Sequence, residues 1–248
     1  MFAIYKKELR SYFINAIGYV YIGVFLAASA LLLCYTTLAL KSYDTASYFT
    51  AITFSFIILI PLLTMKLFAE EKKLRTEQLL LTAPVTIWGM AIGKFLAAFT
   101  VFAGSLLASC VNFFPLYSYA NAERAAQDYS VIHVGPSTAN IVGCTMGLLL
   151  IGAAFIAIGM FVSSLTENQL AAAVITVAII LVMLMLNAVT PYINAYAVRA
   201  VIDWFCILSR FEAFSQGYID IAAIVYYLSI TGVFLLLTVR VYDKRRWG

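Results

Sequence analysis

Charged residues are scarce in this 248-residue chain: Asp, Glu, Lys and Arg make up 11% of it, whereas hydrophobic residues make up 64%. Soluble domains are about 25% charged and roughly 45–50% apolar, so this chain cannot cover a core with polar surface in water. The shortage of charge excludes a soluble globular enzyme, and the composition also excludes a disordered chain, a collagen and a disulfide scaffold. A polytopic helical membrane protein is the class that remains.

Histidine and cysteine are too few, or wrongly spaced, for the common catalytic and metal-binding motifs. The single histidine, His133, excludes a zinc site of the HExxH type, and no serine lies in a nucleophile-elbow pattern. The four cysteines match no zinc or redox spacing, and we interpret them as small buried hydrophobic residues. We therefore expect no catalytic residue and no metal site in this chain.

A nucleotide-binding loop is also missing from the sequence. The nearest match is Gly89, Gly93 and Lys94, but only three residues separate its glycines, and Phe95 follows in place of the required Ser or Thr. This chain should not bind ATP by itself, and we expect it to bind no cofactor.

Six long stretches of the chain carry no charged residue. A hydrocarbon core about 30 Å thick needs about 20 helical residues, and a helix satisfies its own backbone groups in lipid. Each stretch therefore predicts one membrane-spanning helix and, together, an all-α fold. The predicted spans are residues 17–39, 46–68, 91–116, 138–163, 168–190 and 221–241.

The positions of Lys and Arg predict how the spans are oriented. With the amino terminus in the cytoplasm, 12 of the 16 basic residues lie in cytoplasmic segments, and only Lys41, Arg124, Arg199 and Arg210 lie outside. The positive-inside rule then predicts that both termini are cytoplasmic. We interpret the net charge of +4 as anchoring to anionic lipid headgroups, and we expect no nucleic-acid partner.

The first residues of the chain combine basic and aromatic side chains. Phe2, Tyr5, Leu9, Tyr12 and Phe13 recur at three- and four-residue spacing, among basic residues. This pattern favours an amphipathic helix lying in the membrane interface. The alternative is the charged start of a signal peptide, but the apolar region that follows is too long and lacks an obvious cleavage site.

Ionisable residues are almost absent from the predicted spans. Lys94 lies at the start of the third span, where we expect its ammonium group to reach the aqueous interface, and Glu167 lies in the turn between spans four and five. A proton- or sodium-coupled carrier usually needs a buried carboxylate, and a cation channel needs a charged ring or a carbonyl filter. Because neither is visible, energy for transport would have to come from outside the membrane.

The most charged segment is the loop of residues 69–88, between spans two and three. It carries Glu70-Glu-Lys-Lys-Leu-Arg-Thr-Glu77, then three consecutive leucines and Pro84. Helix-start residues followed by a helix-stopping proline predict a short helix with charge at one end and a leucine face. A solvated loop with an interfacial anchor is the alternative.

Glycines recur four residues apart in spans three and four, at Gly89 and Gly93 and at Gly143 and Gly147. Small residues at this spacing let helices pack closely. Packing within one subunit and a sliding interface between subunits both remain open.

Three segments carry a resemblance that extends over essentially the whole chain: residues 1–20, 70–84 and 210–220. They resemble the permease subunits of ABC-2 type ABC transporters, and more narrowly the small six-span permeases of the gliding-motility-associated kind. The second segment is the most specific. Members of that family often have glycine before its Thr-Glu pair, where this chain has Arg75.

The resemblance implies a single transmembrane domain over residues 1–248, with three functional segments. Residues 1–14 look like the elbow helix, residues 69–88 contain a coupling helix that docks on an ATPase subunit, and residues 199–220 look like short outer helices that help close the exit. The implied elbow residues are Tyr5, Lys6, Lys7, Glu8 and Arg10, and the outer-gate residues are Trp204, Phe205, Phe211 and Phe214. The implied coupling residues are Glu70, Glu71, Arg75, Thr76, Glu77, Gln78, Leu79, Leu80 and Pro84.

The resemblance also implies partners and a location. The partners are an ABC ATPase that holds ATP and Mg, a second permease copy (identical or paralogous), membrane lipids and an extracytoplasmic accessory protein. The location is the bacterial cytoplasmic membrane, which the chain crosses several times. Because the spans carry so little charge, a lipid-like or amphipathic cargo is favoured for an ATP-driven exporter. The alternative function is a membrane anchor that transmits force from the ATPase to an outer partner without transport.

Overall fold

The computed structural model describes residues 1–39, 43, 45–76, 78, 86–126, 135–190, 204, 206–218 and 220–247, with the backbone alone at 121–126 and 247. These residues form α-helices and short π and 3-10 segments without any β-strand, which confirms the all-α expectation. The α-helices are α1 (Phe2–Ile14), α2 (Ile17–Leu33), α3 (Ala46–Thr64), α4 (Ala69–Lys73), α5 (Ile87–Ser109), α6 (Phe114–Ala126), α7 (Thr138–Leu165), α8 (Gln169–Val189), α9 (Ile207–Ser215) and α10 (Ile221–Trp247).

Six helical runs among the described residues are long and apolar enough to cross a membrane, so the prediction of six spans is confirmed. The amide of Gly89 donates to the Thr86 hydroxyl, which caps α5 and makes this helix begin at Ile87, four residues before the predicted start at 91. α3 ends at Thr64 instead of 68, and α10 continues past 241 to Trp247. The six runs are Ile17–Leu38, Ala46–Lys73, Ile87–Ala120, Thr138–Leu165, Gln169–Val189 and Ile221–Arg246.

Helix α7 is the centre of the bundle. Two-thirds of its most apolar window (67%) is buried, compared with 22% for α8 and 28% for both α2 and α10. Glycines let α7 take this position, because a Cβ at Gly152 would collide with the Phe102 ring of α5 and one at Gly159 with Thr64 of α3. Close packing within the chain is therefore one use of the glycines of span four.

Aromatic rings fill the space between α2, α3 and α5. The rings of Phe56 and Phe102 meet edge to face at 5.2 Å between centroids, and Phe25 lies against both. All three side chains are almost fully buried, and such pairs add roughly 0.5–1.5 kcal/mol each beyond the area that they bury. This cluster packs α2, α3 and α5 together, and its Phe102 ring also lies against Gly152 of α7.

Candidate functional site

One end of the bundle gathers both chain termini and most of the described charged residues. We call it the terminal face: it consists of α1, residues 65–76, the first two turns of α5, and the last turns of α7 and α10. Contacts across it join segments that lie far apart in sequence, such as Lys94 to Glu8 and Arg245 to the carbonyl oxygen of Ser164. The predicted elbow residues and the described part of the coupling segment therefore belong to one site.

The centre of the terminal face is an ion cluster of Lys7, Glu8, Glu71 and Lys94. The Lys94 ammonium lies 3.0 Å from Glu8 Oε1 and 3.0 Å from Glu71 Oε2. From the other side, the Lys7 ammonium lies 3.2 Å from Glu71 Oε1 and 3.6 Å from Glu8 Oε1. Two cations and two carboxylates thus balance in charge and connect α1, α4 and α5.

Lys94 is buried within the protein, and the expectation that its ammonium group reaches interface water is wrong. Its side chain is 1% exposed, and the ammonium group also donates to the Leu67 carbonyl oxygen at 2.7 Å and lies over the Phe68 ring. The physical reason is that α1 and residues 67–71 cover the first turns of α5, so the cation finds protein acceptors before it reaches water. Burial of a charge is tolerated when it is paired and hydrogen-bonded in this way.

Lys7 occupies the solvent side of the same cluster, with 60% of its side chain exposed. Burial by itself would lower the pKa of Lys7, but the charges of Glu71 and Glu8 outweigh it, so the net shift raises the pKa above its usual value. Lys7 is therefore protonated at neutral pH, which keeps the cluster electrically balanced.

Helix α1 packs on the first turns of α5 at a glycine seat, by which we mean a helix surface where a glycine leaves room for a neighbouring element. A Cβ at Gly93 would lie 3.2 Å from the Met1 carbonyl oxygen, and one at Gly89 would lie 3.7 Å from the Met1 Cβ. The Tyr12 hydroxyl, farther along α1, donates to the Leu63 carbonyl oxygen at 2.9 Å. Gly93 thus packs α5 closely on α1 within one chain, whereas a Cβ at Gly89 would meet α1 only at an ordinary contact distance.

Ser163 of α7 holds the start of α4 in place. Its hydroxyl oxygen accepts from the amides of Phe68 at 3.2 Å and Ala69 at 3.1 Å, and its O–H donates to the Met65 carbonyl oxygen. The first amides of a helix have no partner inside that helix, so a side chain from elsewhere must satisfy them when they are buried. Ser163, which is fully buried, is therefore a cap supplied across the bundle.

The charged segment after span two folds as the short helix α4 followed by a tight turn. The amide of Thr76 donates to the Glu71 carbonyl oxygen and that of Arg75 to the Lys72 carbonyl oxygen, which is the hydrogen-bond pattern of a Schellman motif. Arg75 has φ +56°, in the left-handed region that favours glycine. This geometry gives a physical reason for the glycine that the resembling family often has at this position.

The remaining predicted coupling residues fall into three groups. Glu70 lies 4.0 Å from Lys66, and Lys72, which is not one of the predicted residues, lies 3.2 Å from Glu167 in the turn after α7, so both ion pairs tie α4 to its surroundings. Thr76 and Gln78 are exposed. Glu77, Leu79, Leu80 and Pro84 lie outside the described residues, so the leucine face of the predicted coupling helix stays a prediction.

The other predicted elbow residues lie on the outer sides of α1. The Tyr5 hydroxyl is within hydrogen-bond distance (3.2 Å) of the Thr100 hydroxyl of α5. Lys6 and Arg10 are exposed and line a shallow groove with Ile14 along the outward side of the helix. Helix α1 thus turns an acidic residue, Glu8, inward and its unburied cations outward.

At the opposite end of the bundle, helix α9 packs on α7. Phe211 and Phe214 are 2% and 0% exposed. Their rings lie directly against Gly147 of α7, where a Cβ would be 2.9 Å from the Phe211 ring and 3.2 Å from Phe214 Cγ. The predicted gate residue Trp204 is exposed and meets the Tyr226 ring edge to face, while Phe205 lies outside the described residues. In this conformation, Phe211 and Phe214 attach α9 to the bundle.

The sequence does not predict the roles of two residues of the terminal face, Lys94 and Ser163. The sequence indicates an interfacial cation at Lys94, which also belongs to an incomplete nucleotide-loop pattern, and Ser163 is one of the serines outside any nucleophile-elbow pattern. A charged residue seven positions into an otherwise apolar helix is a signal for a partner on another segment, since an unpaired charge there is costly. Ser163 carried no such signal, because its partners are backbone amides 94 and 95 residues away.

Comparison with known proteins agrees with this architecture. The model of a family described as ABC-2 family transporter protein matches residues 33–240, from the last residue of α2 to a point within α10, which is most of the chain. None of the curated proteins is similar enough to this chain to count as a match. The match covers the end of the first apolar helix, all or most of the other five, and the charged segment between the second and third. This chain belongs to the ABC-2 family of transporter proteins.

Proposed function

We propose that this chain is the permease subunit of an ATP-driven exporter and that a separate ATPase subunit docks on residues 70–84. The observation that carries the proposal is the attachment of the segment after span two to the bundle. Residues 67–71 are joined to α1 and α5 by the ion cluster and to α7 by Ser163. Displacement of the docked segment would therefore be transmitted to α1, α5 and α7 through these direct contacts.

The basic residues support a proposed membrane orientation. The terminal face holds α1 and the basic end of α10, where Lys244, Arg245 and Arg246 lie in the last turn. Positive charge marks the cytoplasmic side of membrane proteins, so we place both termini and the ATPase dock in the cytoplasm of a bacterial inner membrane. ATP and Mg would be bound by the ATPase subunit.

The cargo that suits this chain is lipid-like or amphipathic. Among the described residues, Lys94 is the charged side chain that lies well inside the start of a span. Its contacts with Glu8, Glu71 and the Leu67 carbonyl oxygen leave it unavailable to a charged cargo. The exposed sides of α2, α8 and α10 are apolar, and we propose that lipid and a second permease copy cover them. Cargo would then pass along the seam between the two copies.

The experiment is a gentle purification of the tagged chain from its native membrane, followed by identification of the proteins bound to it. We expect a stoichiometric ATPase with a Walker motif, and we expect Glu77→Ala and Leu80→Ala to lose it while membrane insertion is unchanged. Glu212→Ala is the matched control, since this exposed residue of α9 lies at the opposite end. An ATPase that stays bound with full turnover in both coupling variants would contradict the docking assignment.

The same purification tests the alternative of force transmission without transport. That function requires a stoichiometric extracytoplasmic protein beside the ATPase, and it requires ATP turnover that no amphipathic compound stimulates. A complex of permease and ATPase alone, with turnover that rises on addition of a lipid-like compound, would favour the exporter.

A further inference from the structure

Lys94 is the one member of the ion cluster that is buried from every side. The ammonium group of Lys94 donates hydrogen bonds to Glu8 Oε1 at 3.0 Å and to the Leu67 carbonyl oxygen at 2.7 Å. It also forms an ion pair with Glu71 Oε2 at 3.0 Å. Its side chain is 1% exposed, whereas that of Lys7 is 60% exposed. Solvent can therefore replace contacts of Lys7 but not those of Lys94.

The three partners of Lys94 belong to two segments that are separate in sequence. Glu8 lies on α1, while Leu67 precedes α4 and Glu71 lies in its first turn. Lys94 itself belongs to α5, so a single buried group joins a helix, a loop segment and a membrane span. Charge-assisted hydrogen bonds are short and directional, and they weaken steeply when the partners move apart or tilt. Such a joint resists sliding of the three segments past one another.

We propose that Lys94 is a positioning residue for energy coupling: it makes α1, residues 67–71 and α5 move as one body when the loop is displaced. This inference rests on the proposed function, because it takes the ATPase subunit as the source of the displacement. A merely structural Lys94 would stabilise the fold equally in all states and would leave the transmission of movement unaffected once the charge balance was restored.

The experiment follows the movement of α1 in the purified complex. Ile14 is exposed at the end of α1, so Ile14→Cys in a Cys34→Ser background reports the surroundings of this helix through its rate of reaction with a maleimide. We expect ATP to change that rate about fivefold in this parent chain, a factor typical of coupled sites. The change should fall below about twofold in Lys94→Met, and it should stay at the parental value in Lys244→Met, which removes an exposed lysine of the same face.

A second variant separates positioning from folding. Lys94→Met leaves two carboxylates without their buried partner, so it can fail to accumulate. The double variant Glu8→Gln, Lys94→Met leaves Lys7 and Glu71 as an ion pair with no net charge, and we expect it to fold, to keep the ATPase subunit and still to lose the response of position 14. Recovery of the response in the double variant would show a role in charge balance only and would overturn the proposal.

Two further outcomes also contradict the proposal and can be told apart. A parent complex that contains the ATPase but shows no response to ATP at position 14, or a Lys94→Met complex that keeps the full response, overturns the role of Lys94 and leaves the proposed function standing. A parent chain that purifies without any ATPase overturns the proposed function, and the role of Lys94 with it.

Discussion

The short helices α4 and α9 lie at opposite ends of the bundle and end in the same way. In α9, the amide of Tyr218 donates to the Ala213 carbonyl oxygen and that of Gly217 to the Phe214 carbonyl oxygen, which is the Schellman pattern also found after α4. The left-handed position is Gly217, with φ +80°, in one helix and Arg75, with φ +56°, in the other. The same turn is thus built once with the favoured residue and once with a residue that is strained in it.

The two helices are attached to the bundle by different chemistry. Helix α9 is held by the rings of Phe211 and Phe214 on the glycine seat of α7, and α4 is held by the buried ammonium of Lys94 and the hydroxyl of Ser163. An apolar contact in a close-packed seat depends on shape, whereas the polar contacts depend on individual partners. The comparison teaches that α9 should tolerate the loss of any one hydrogen bond, while α4 should not.

The largest expected effect is at the apolar end. Phe214→Ala should lower the free energy of unfolding by about 3–5 kcal/mol, because a fully buried ring is removed from its seat against Gly147. Trp204→Ala is the control, and its effect should be within about 0.5 kcal/mol because the side chain is 58% exposed. Thermal unfolding of the purified protein measures both. A larger loss for Trp204 than for Phe214 would reverse the assignment of which aromatic residue anchors α9.

A smaller effect is expected from a single hydroxyl at the polar end. Ser163→Ala should cost about 2 kcal/mol, because the buried amides of Phe68 and Ala69 lose their acceptor. Ser164→Ala should cost less than about 1 kcal/mol, since that hydroxyl only donates to the Phe161 carbonyl oxygen within its own helix. Tryptic cleavage after Lys73 should speed up in the first variant alone. Equal cleavage in the two serine variants would mean that Ser163 does not hold α4.

The smallest effect exchanges the residue types of the two turns. Arg75→Gly should raise the free energy of unfolding by about 0.5–1 kcal/mol, because glycine adopts a positive φ without strain. Gly217→Ala should lower it by about 1–2 kcal/mol, since its φ is also positive and a Cβ there would lie 2.7 Å from Asn140 Oδ1. Denaturant or thermal unfolding measures the two changes, and effects of the same sign would contradict the proposed equivalence of the turns.

The number and places of the spans could be predicted because they depend on local composition. Lipid contains no partner for backbone polar groups, so each uncharged stretch of sufficient length must be a helix, whatever its neighbours are. The ends were less predictable: α5 begins at Ile87 because of a cap at Thr86, and α3 ends early where residues 65–68 turn toward Ser163. A cap is local, but the turn depends on a residue 98 positions away.

The candidate site could be predicted only in part. Lys7, Glu8 and Glu71 were named as functional residues, and they meet at the terminal face, but nothing in the order of residues said that they meet one another. Glu8 and Lys94 are 86 residues apart, and the distance that makes them partners exists only after α1 folds back across α5. The glycine pairs are visible in the sequence. Whether they face another helix of the same chain or a second copy depends on which helices pack beside them in the folded protein.

The amino-acid sequence by itself determined the all-α membrane class, the six spans and the charged segment between the second and third of them. These follow from hydrophobic run length and charge, which each segment carries alone. Only the tertiary structure decided that Lys94 is buried, that Ser163 caps α4 and that α1 and α9 occupy glycine seats. Those features arise when distant segments exclude water from one another, because burial and pairing are properties of the assembled surfaces and not of any one stretch of chain.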